Sequence, residues 1–136
     1  MTEIEEKEIA LAKEYLNHWQ RELRLDHLDF TLGMFRPEEK VSSGVMAQCN
    51  EAPSYHHQKI QIRNPSDRTE QDKTQFRRDL EVCIVHELLH TKEIPWRDHP
   101  STKKVLDEDD WLRQLHEDSL DAIAEALVRA RRGLFR

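Results

Sequence analysis

The segment His86-Glu87-Leu88-Leu89-His90 brings two imidazoles and one carboxylate into five consecutive residues. If the segment is helical, the spacing of four residues puts His86 and His90 on one face, about one turn apart. Two imidazoles placed in this way can bind one zinc ion through a ring nitrogen each, at about 2.0–2.1 Å. Glu87 lies about 100° round the helix from His86, where its carboxylate can take a proton from a water molecule beside the ion. The segment therefore predicts a Zn2+ site with Glu87 as its general base.

Apolar residues around the motif predict that this helix is buried. They are Val82, Cys83, Ile84, Val85, Leu88 and Leu89. Buried histidine and glutamate side chains require hydrogen-bond or metal partners, because burying an unsatisfied polar group costs free energy. This favours a metal site over an accidental occurrence of the pattern. A metal-free interaction domain is the alternative.

A zinc site that performs catalysis needs a third protein ligand and keeps one position open. The downstream candidates are His99, Asp107 to Asp110, His116, Glu117 and Asp118. On a wheel of the last predicted helix, Asp118 lies on the solvent side and His116 within the main apolar face, centred on Ile123. Glu117 and Asp121 lie one turn apart on a flank of that face. This spacing allows the two to work together, with Glu117 on the metal and Asp121 accepting the N–H of a ligating histidine, while His99 and the acidic residues 107–110 stay open as candidates.

This combination of motifs resembles the gluzincin metallopeptidases. The resemblance is carried by His86-Glu87-Leu88-Leu89-His90 in one helix and Glu117-Asp118-Ser119-Leu120-Asp121 in a later one. The order of elements is also similar to that of the minigluzincins and of small phage-associated proteins. The resemblance implies a zincin-like α+β fold and hydrolysis of peptide bonds in a peptide or protein substrate. It implies these roles for five residues: zinc ligands His86, His90 and Glu117, general base Glu87, and Asp121 supporting a ligating histidine.

The chain departs from the thermolysin type of gluzincin at one position. That type carries a histidine or tyrosine after the glutamate helix, which stabilises the oxyanion. The 15 residues that follow Asp121 contain neither residue type. Earlier residues that could replace it are Tyr55, His56, His57, Arg97 and His99. A zinc-binding but catalytically weak protein of a phage or mobile element, acting through protein–protein contacts, is the alternative function.

The hydrophobic pattern predicts the elements that position this site. We expect helices over 2–24, 70–92 and 108–132, strands over 28–35, 45–49 and 58–63, a turn at 50–54 and a loop over 93–106. The three strands should form an antiparallel or mixed sheet, and the second or third strand is the candidate to receive a substrate at a sheet edge. The second helix is predicted to be capped by Ser66, Asp67 or Thr69. Packing roles are predicted for Trp19, Trp96 and Trp111.

Composition limits the remaining possibilities. The chain has 136 residues and a formal net charge of -6, which predicts one domain over 1–136 and argues against a general nucleic-acid binder. No apolar run approaches the roughly 20 residues of a membrane span. The acidic N-terminal segment is unlike a signal peptide. These features predict a cytoplasmic protein that binds neither nucleic acid nor membrane, and they leave the oligomeric state open.

Overall fold

The computed structural model describes residues 2–35, 47–51, 56–63, 79–94 and 98–133. Within these ranges the chain forms four helices and a small three-stranded sheet, which confirms the predicted α+β class. In chain order the elements are α1 (Glu3–Glu22), β1 (Asp29–Met34), β2 (Ala47–Glu51), β3 (His57–Ile62), α2 (Leu80–Lys92), α3 (Pro100–Glu108) and α4 (Asp110–Arg131). None of the helices in these ranges combines the length and the apolar character needed to cross a membrane.

β3 is the central strand of the sheet, with β1 on one side and β2 on the other. It runs parallel to β1 and antiparallel to β2, where Cys49 lies opposite Ile60. The sheet is therefore mixed, one of the two predicted arrangements. The predicted turn is wrong for Asn50 and Glu51, because both residues extend β2 and pair with β3. Residues 45, 46 and 52–54 lie outside the described residues.

α1 matches its predicted position closely, and a capping box marks its start. The hydroxyl of Thr2 accepts a hydrogen bond of 3.2 Å from the Glu5 amide, and the Glu5 carboxylate accepts one of 3.3 Å from the Thr2 amide. These contacts satisfy N–H groups that the first helical turn leaves without partners. Ala12, Leu16 and Trp19, spaced by four and three residues, form its buried stripe.

α2 begins at Leu80, and the continuous helix predicted over 70–92 is interrupted at Asp79. Asp79 has non-helical backbone angles, and its carboxylate accepts a hydrogen bond of 2.8 Å from the Glu81 amide. An aspartate in this position caps the helix and interacts favourably with the helix dipole. Residues 64–78 lie outside the described residues, and with them the three predicted caps.

α3 shows that the predicted loop over 93–106 is wrong for residues 100–106, which are helical. Pro100 stands in the first helical turn, where the missing N–H costs nothing, and Nδ1 of His99 accepts a hydrogen bond of 3.3 Å from the Ser101 amide. The proline that suggested a loop therefore begins a helix. Asp109 separates α3 from α4 and caps α4, because its carboxylate accepts a hydrogen bond of 3.0 Å from the Leu112 amide.

The buried face of α4 differs from the predicted one. Leu120, Ala124 and Val128 are buried at a spacing of four residues, and this helix packs against α2. Ile123, the predicted centre of the apolar face, is 48% exposed. Trp111 is 71% exposed, so its predicted packing role is also wrong, whereas Trp19 is buried as predicted. Trp96 lies outside the described residues.

Glu81, the second residue of α2, is a carboxylate without solvent exposure. It accepts hydrogen bonds from the guanidinium groups of Arg131 and Arg132 at the end of α4, and from the indole of Trp19 in α1. Burial alone would raise the pKa of Glu81, but these hydrogen bonds lower it below its usual range. One buried carboxylate thus ties α1 and α4 to α2.

Candidate metal centre

Three side chains from two helices converge at the candidate metal centre: His86 and His90 from α2, and Glu117 from α4. Nε2 of His86 lies 3.0 Å from Nε2 of His90 and 3.0 Å from Oε2 of Glu117. Nε2 of His90 lies 3.1 Å from Oε1 of Glu117. The two imidazoles and the carboxylate therefore direct their donor atoms at one another and can hold a metal ion among them.

These separations fit a divalent metal ion. Around a tetrahedral zinc ion with bonds of about 2.0–2.1 Å, neighbouring ligand atoms are about 3.3 Å apart. The separations of 3.0–3.1 Å here differ from that value by a few tenths of an ångström. Two imidazole nitrogens and one carboxylate oxygen are donors that zinc and related transition metals bind.

The position of α2 in the core explains how the histidines are held. Ile84, Val85 and Leu88 have no solvent exposure, which fixes the rotation of the helix. The His86 side chain is 8% exposed and that of His90 17% exposed. The motif therefore lies where the buried helix meets α4, as its apolar flanks predicted.

Asp121 lies beside His86, on the side of the ring away from the other donors. Its Oδ1 is 2.7 Å from Nδ1 of His86, while Nε2 of the same ring faces Glu117. A carboxylate at Nδ1 favours the tautomer in which Nε2 carries a lone pair for a metal. The structure therefore brings Glu117 to Nε2 and Asp121 to Nδ1 of the same histidine.

Glu87 is held by the sheet rather than by the two histidines. The backbone N–H of Cys49 in β2 donates a hydrogen bond of 3.0 Å to Oε2 of Glu87. Burial raises the pKa of the Glu87 carboxyl, and the neighbouring histidines and the Cys49 amide only partly offset this effect. A carboxylate with a raised pKa is a better proton acceptor, as a general base requires.

The charges at the site depend on one another. Burial alone would lower the pKa of His86, but its hydrogen bond with Glu117 and the charges of Glu87 and Asp121 raise it. The hydrogen bonds from His86 and His90 hold the pKa of Glu117 far below its usual range. Glu117 is therefore an anion at neutral pH, as a metal ligand must be.

Four of the other downstream candidates have described contacts that differ from those of Glu117. Asp118 is exposed and accepts a hydrogen bond of 2.9 Å from Gln114, which confirms its predicted solvent position. His99 caps α3, and Asp109 caps α4. His116 is only partly buried, and its Nε2 lies 2.9 Å from Oε1 of Glu93.

Of the five residues considered for oxyanion stabilisation, three lie within the described part of the chain. Tyr55 and Arg97 lie outside the described residues. His57 is exposed, with Nε2 3.6 Å from Oδ2 of Asp29, and His56 is exposed too. His99 accepts the hydrogen bond that caps α3. The described contacts of His57 and His99 therefore tie them to groups outside the metal centre.

Sequence reasoning missed two contributors to this region. Glu93, three residues after His90, has Oε1 3.6 Å from Nδ1 of that histidine, and the helical spacing of three could have suggested it. The Cys49 amide lies 38 residues before Glu87. No local sequence pattern predicts such a contact, because the contact depends on how the sheet packs against α2.

No protein-family model, curated protein or solved structure matches the chain. The resemblance to gluzincins therefore remains a prediction from the motifs themselves.

Proposed function

We propose that the protein is a small zinc-dependent metallopeptidase with a zincin-like fold. One observation carries the proposal: His86, His90 and Glu117 bring their donor atoms within 3.0–3.1 Å of one another, and Glu87 lies on the same helix between the two histidines. Three protein ligands leave a fourth position for water or substrate, which is the coordination of a catalytic zinc site.

The donor set supports zinc as the metal. Two neutral imidazoles and one carboxylate form a His2Glu set, which is used for catalytic zinc. The Asp121 carboxylate at Nδ1 of His86 strengthens that imidazole as a ligand. Zinc bound in this site would polarise a scissile carbonyl and acidify the attacking water.

Glu87 provides the proton transfers. Its Oε2 accepts the Cys49 amide, so Oε1 is the oxygen available to take a proton from the attacking water. The same carboxyl group can then pass this proton to the nitrogen of the leaving amine. Burial, which raises its pKa, favours both the uptake of the proton and its retention until the peptide bond breaks.

The sheet supplies a surface for an extended peptide. β3 is central in the sheet, so of the two strands considered for substrate binding only β2 lies at an edge among the described strands. Cys49 of β2 points its N–H at Glu87 and not at β3. A peptide that adds to this edge as a further strand would lie beside the general base.

Zinc content tests the metal part of the proposal. We would measure zinc per chain by elemental mass spectrometry on the parent protein, Glu117→Ala and the matched control Asp118→Ala. The expected result is one zinc per chain in the parent and the control, and loss of zinc from Glu117→Ala. A parent protein without zinc, even after incubation with the ion, would refute the proposal and leave a metal-free interaction domain.

Turnover tests the catalytic part. The parent protein should cleave peptides in a fluorogenic library, and Glu87→Gln should retain zinc while losing at least about 100-fold in rate, because it lacks the base. The exposed Glu125→Gln is the control. Undiminished cleavage by Glu87→Gln would overturn the role of Glu87. Zinc without turnover in the parent would favour the zinc-binding, catalytically weak protein instead.

A further inference from the structure

A second carboxylate lies behind the other metal-binding histidine. Oε1 of Glu93, at the C-terminal end of α2, is 3.6 Å from Nδ1 of His90. The same oxygen is 2.9 Å from Nε2 of His116 in α4. Glu93 therefore lies between two imidazoles, and one of them belongs to the candidate metal centre.

We propose that Glu93 and His116 are positioning residues that orient His90 for the metal. The inference rests on the metal-binding part of the proposed function. His86 has Asp121 at its Nδ1 and directs its Nε2 at the site. Glu93 occupies the corresponding position behind His90, whose Nε2 also faces the site.

The distances indicate how the pair works. At 3.6 Å, Glu93 and His90 are too far apart for a hydrogen bond, whereas Glu93 and His116 are within bonding distance at 2.9 Å. His116 therefore holds the carboxylate close to His90. If the Glu93 carboxylate and the His90 ring approached each other by about 0.7 Å, the difference between the two distances, their separation would also be 2.9 Å. Glu93 would then accept a second hydrogen bond, from Nδ1–H of His90.

The location of the pair also suits a positioning role. The side chains of His90, Glu93 and His116 are 17%, 20% and 18% exposed, so the pair is substantially shielded from water. His116 directly precedes the ligand Glu117 on α4. The contact between Glu93 and His116 therefore joins the end of α2 to α4 next to the metal centre.

A second metal ion is the competing interpretation of these residues. Donor atoms of His90, Glu93 and His116 lie within 4.8 Å of one another, which is compatible with a cation. A cation at Nδ1 would require His90 to release its remaining ring proton to solvent while Nε2 binds the first ion. A carboxylate that accepts this proton in a hydrogen bond requires no such loss, so the observations favour positioning.

The test measures the zinc dissociation constant by competition with a chromophoric chelator. The proteins are the parent, Glu93→Gln, Glu93→Asp, His116→Ala, the double variant of Glu93→Gln with His116→Ala, and the control Asp118→Asn. Glu93→Gln keeps the shape of the side chain and should weaken zinc binding about 10- to 100-fold. His116→Ala should have a smaller effect. The double variant should resemble Glu93→Gln, because His116 acts through Glu93. Glu93→Asp should restore part of the affinity, and Asp118→Asn should equal the parent.

The outcomes separate this inference from the proposed function. Parent-like zinc affinity in Glu93→Gln, or additive effects in the double variant, would overturn the positioning role and leave the zinc site intact. Two zinc ions per parent chain, one of them lost in both single variants, would replace it with a second cation site. A parent without zinc would overturn both proposals.

Apo-protein melting temperatures and Co2+ absorption spectra distinguish misfolding from altered coordination. If Glu93→Gln does not fold, Glu93→Asp keeps the test decisive.

Discussion

Nε1 of Trp19 and Oε2 of Glu81 are 2.6 Å apart, and this hydrogen bond joins the first helix to the buried start of the helix that carries both histidines. Glu81 has no solvent exposure, so its charge depends on protein donors. Arg131 and Arg132 supply further hydrogen bonds from the end of α4. The rotation of α2, and with it the direction of the histidines, is thereby fixed from both sides.

Removing the indole donor should destabilise the protein. Trp19→Phe deletes a hydrogen bond to a charged group, and we expect the free energy of unfolding to fall by about 1.5–3 kcal/mol. Urea denaturation followed by circular dichroism measures this loss. The control is Trp111→Phe, because that side chain is 71% exposed and its replacement should change little. Equal stability of the two variants would contradict the role of the hydrogen bond.

Glu81 should also make stability depend on pH in the acid range. Its pKa in the folded protein is below the value of 4.5 that it has when unperturbed. The unfolded chain therefore binds the proton more readily. The stabilisation is fully present above about pH 4.5 and is lost as the pH falls through the folded-state pKa. Asp79, whose pKa is lowered chiefly by its hydrogen bond with Arg132, acts in the same direction.

Glu81→Gln tests this dependence. We expect the variant to be less stable at neutral pH by about 1.5–3 kcal/mol, because hydrogen bonds that involve charged groups are weakened. Its unfolding free energy should also change less between pH 7 and pH 3 than that of the parent. Urea titrations at several pH values, with chelator present, measure both quantities. The same acid dependence in parent and variant would assign it to other carboxylates.

Asp121 should act on metal affinity through His86. Asp121→Asn keeps the shape of the side chain but removes the charge 2.7 Å from Nδ1. Zinc binding should weaken about 10- to 100-fold, because the ligand becomes less basic and less well oriented. Chelator competition measures the change, with Glu125→Gln on the exposed side of α4 as the control. An unchanged dissociation constant would show that the contact does not support the ligand.

The hydrogen bond from Cys49 to Glu87 can be removed without touching the metal ligands. Cys49→Pro deletes the amide proton and places a ring carbon where that proton points at Oε2 of Glu87, so the carboxylate loses its donor and must move. We expect zinc to be retained and kcat to fall about 10- to 100-fold, since a hydrogen bond to a charged group is lost.

Two control variants separate the loss of the hydrogen bond from damage to the strand. Cys49→Ala retains the amide and should keep the parent rate. Ala47→Pro introduces proline two residues earlier in the same strand, and it reports any damage to the edge itself. A rate loss in Ala47→Pro as large as in Cys49→Pro would assign the effect to the strand.

Part of the candidate metal centre follows from local sequence spacing, because the two residues of each pair belong to one helix. A spacing of four residues fixes the relation between His86 and His90, and also that between Glu117 and Asp121. Helical geometry gives these relative angles regardless of what surrounds the helix. The structure brings the two pairs together as predicted, and the roles of the residues remain to be tested.

The elements around the site were harder to predict, because tertiary contacts decide them. The wheel of α4 gave correct angles but the wrong buried centre: Ala124 belongs to the buried core cluster, whereas Ile123 is half exposed. Pro100 suggested a loop, although a proline in the first turn of a helix is equally compatible with its chemistry. In both cases the residue type allowed two structures, and packing or capping selected one.

The contact of the Cys49 main chain with Glu87 also determines which genetic changes preserve the position of Glu87 on α2. Because every residue except proline offers the same N–H, exchanging the side chain at position 49 leaves this donor in place. A one-residue insertion or deletion that shifts β2 against β3 would instead turn the donor at this point towards β3 and present the opposite face of the strand. The alignment of Glu87 is thus encoded by the length and register of a strand, and comparisons that score only residue identity at position 49 would overlook it.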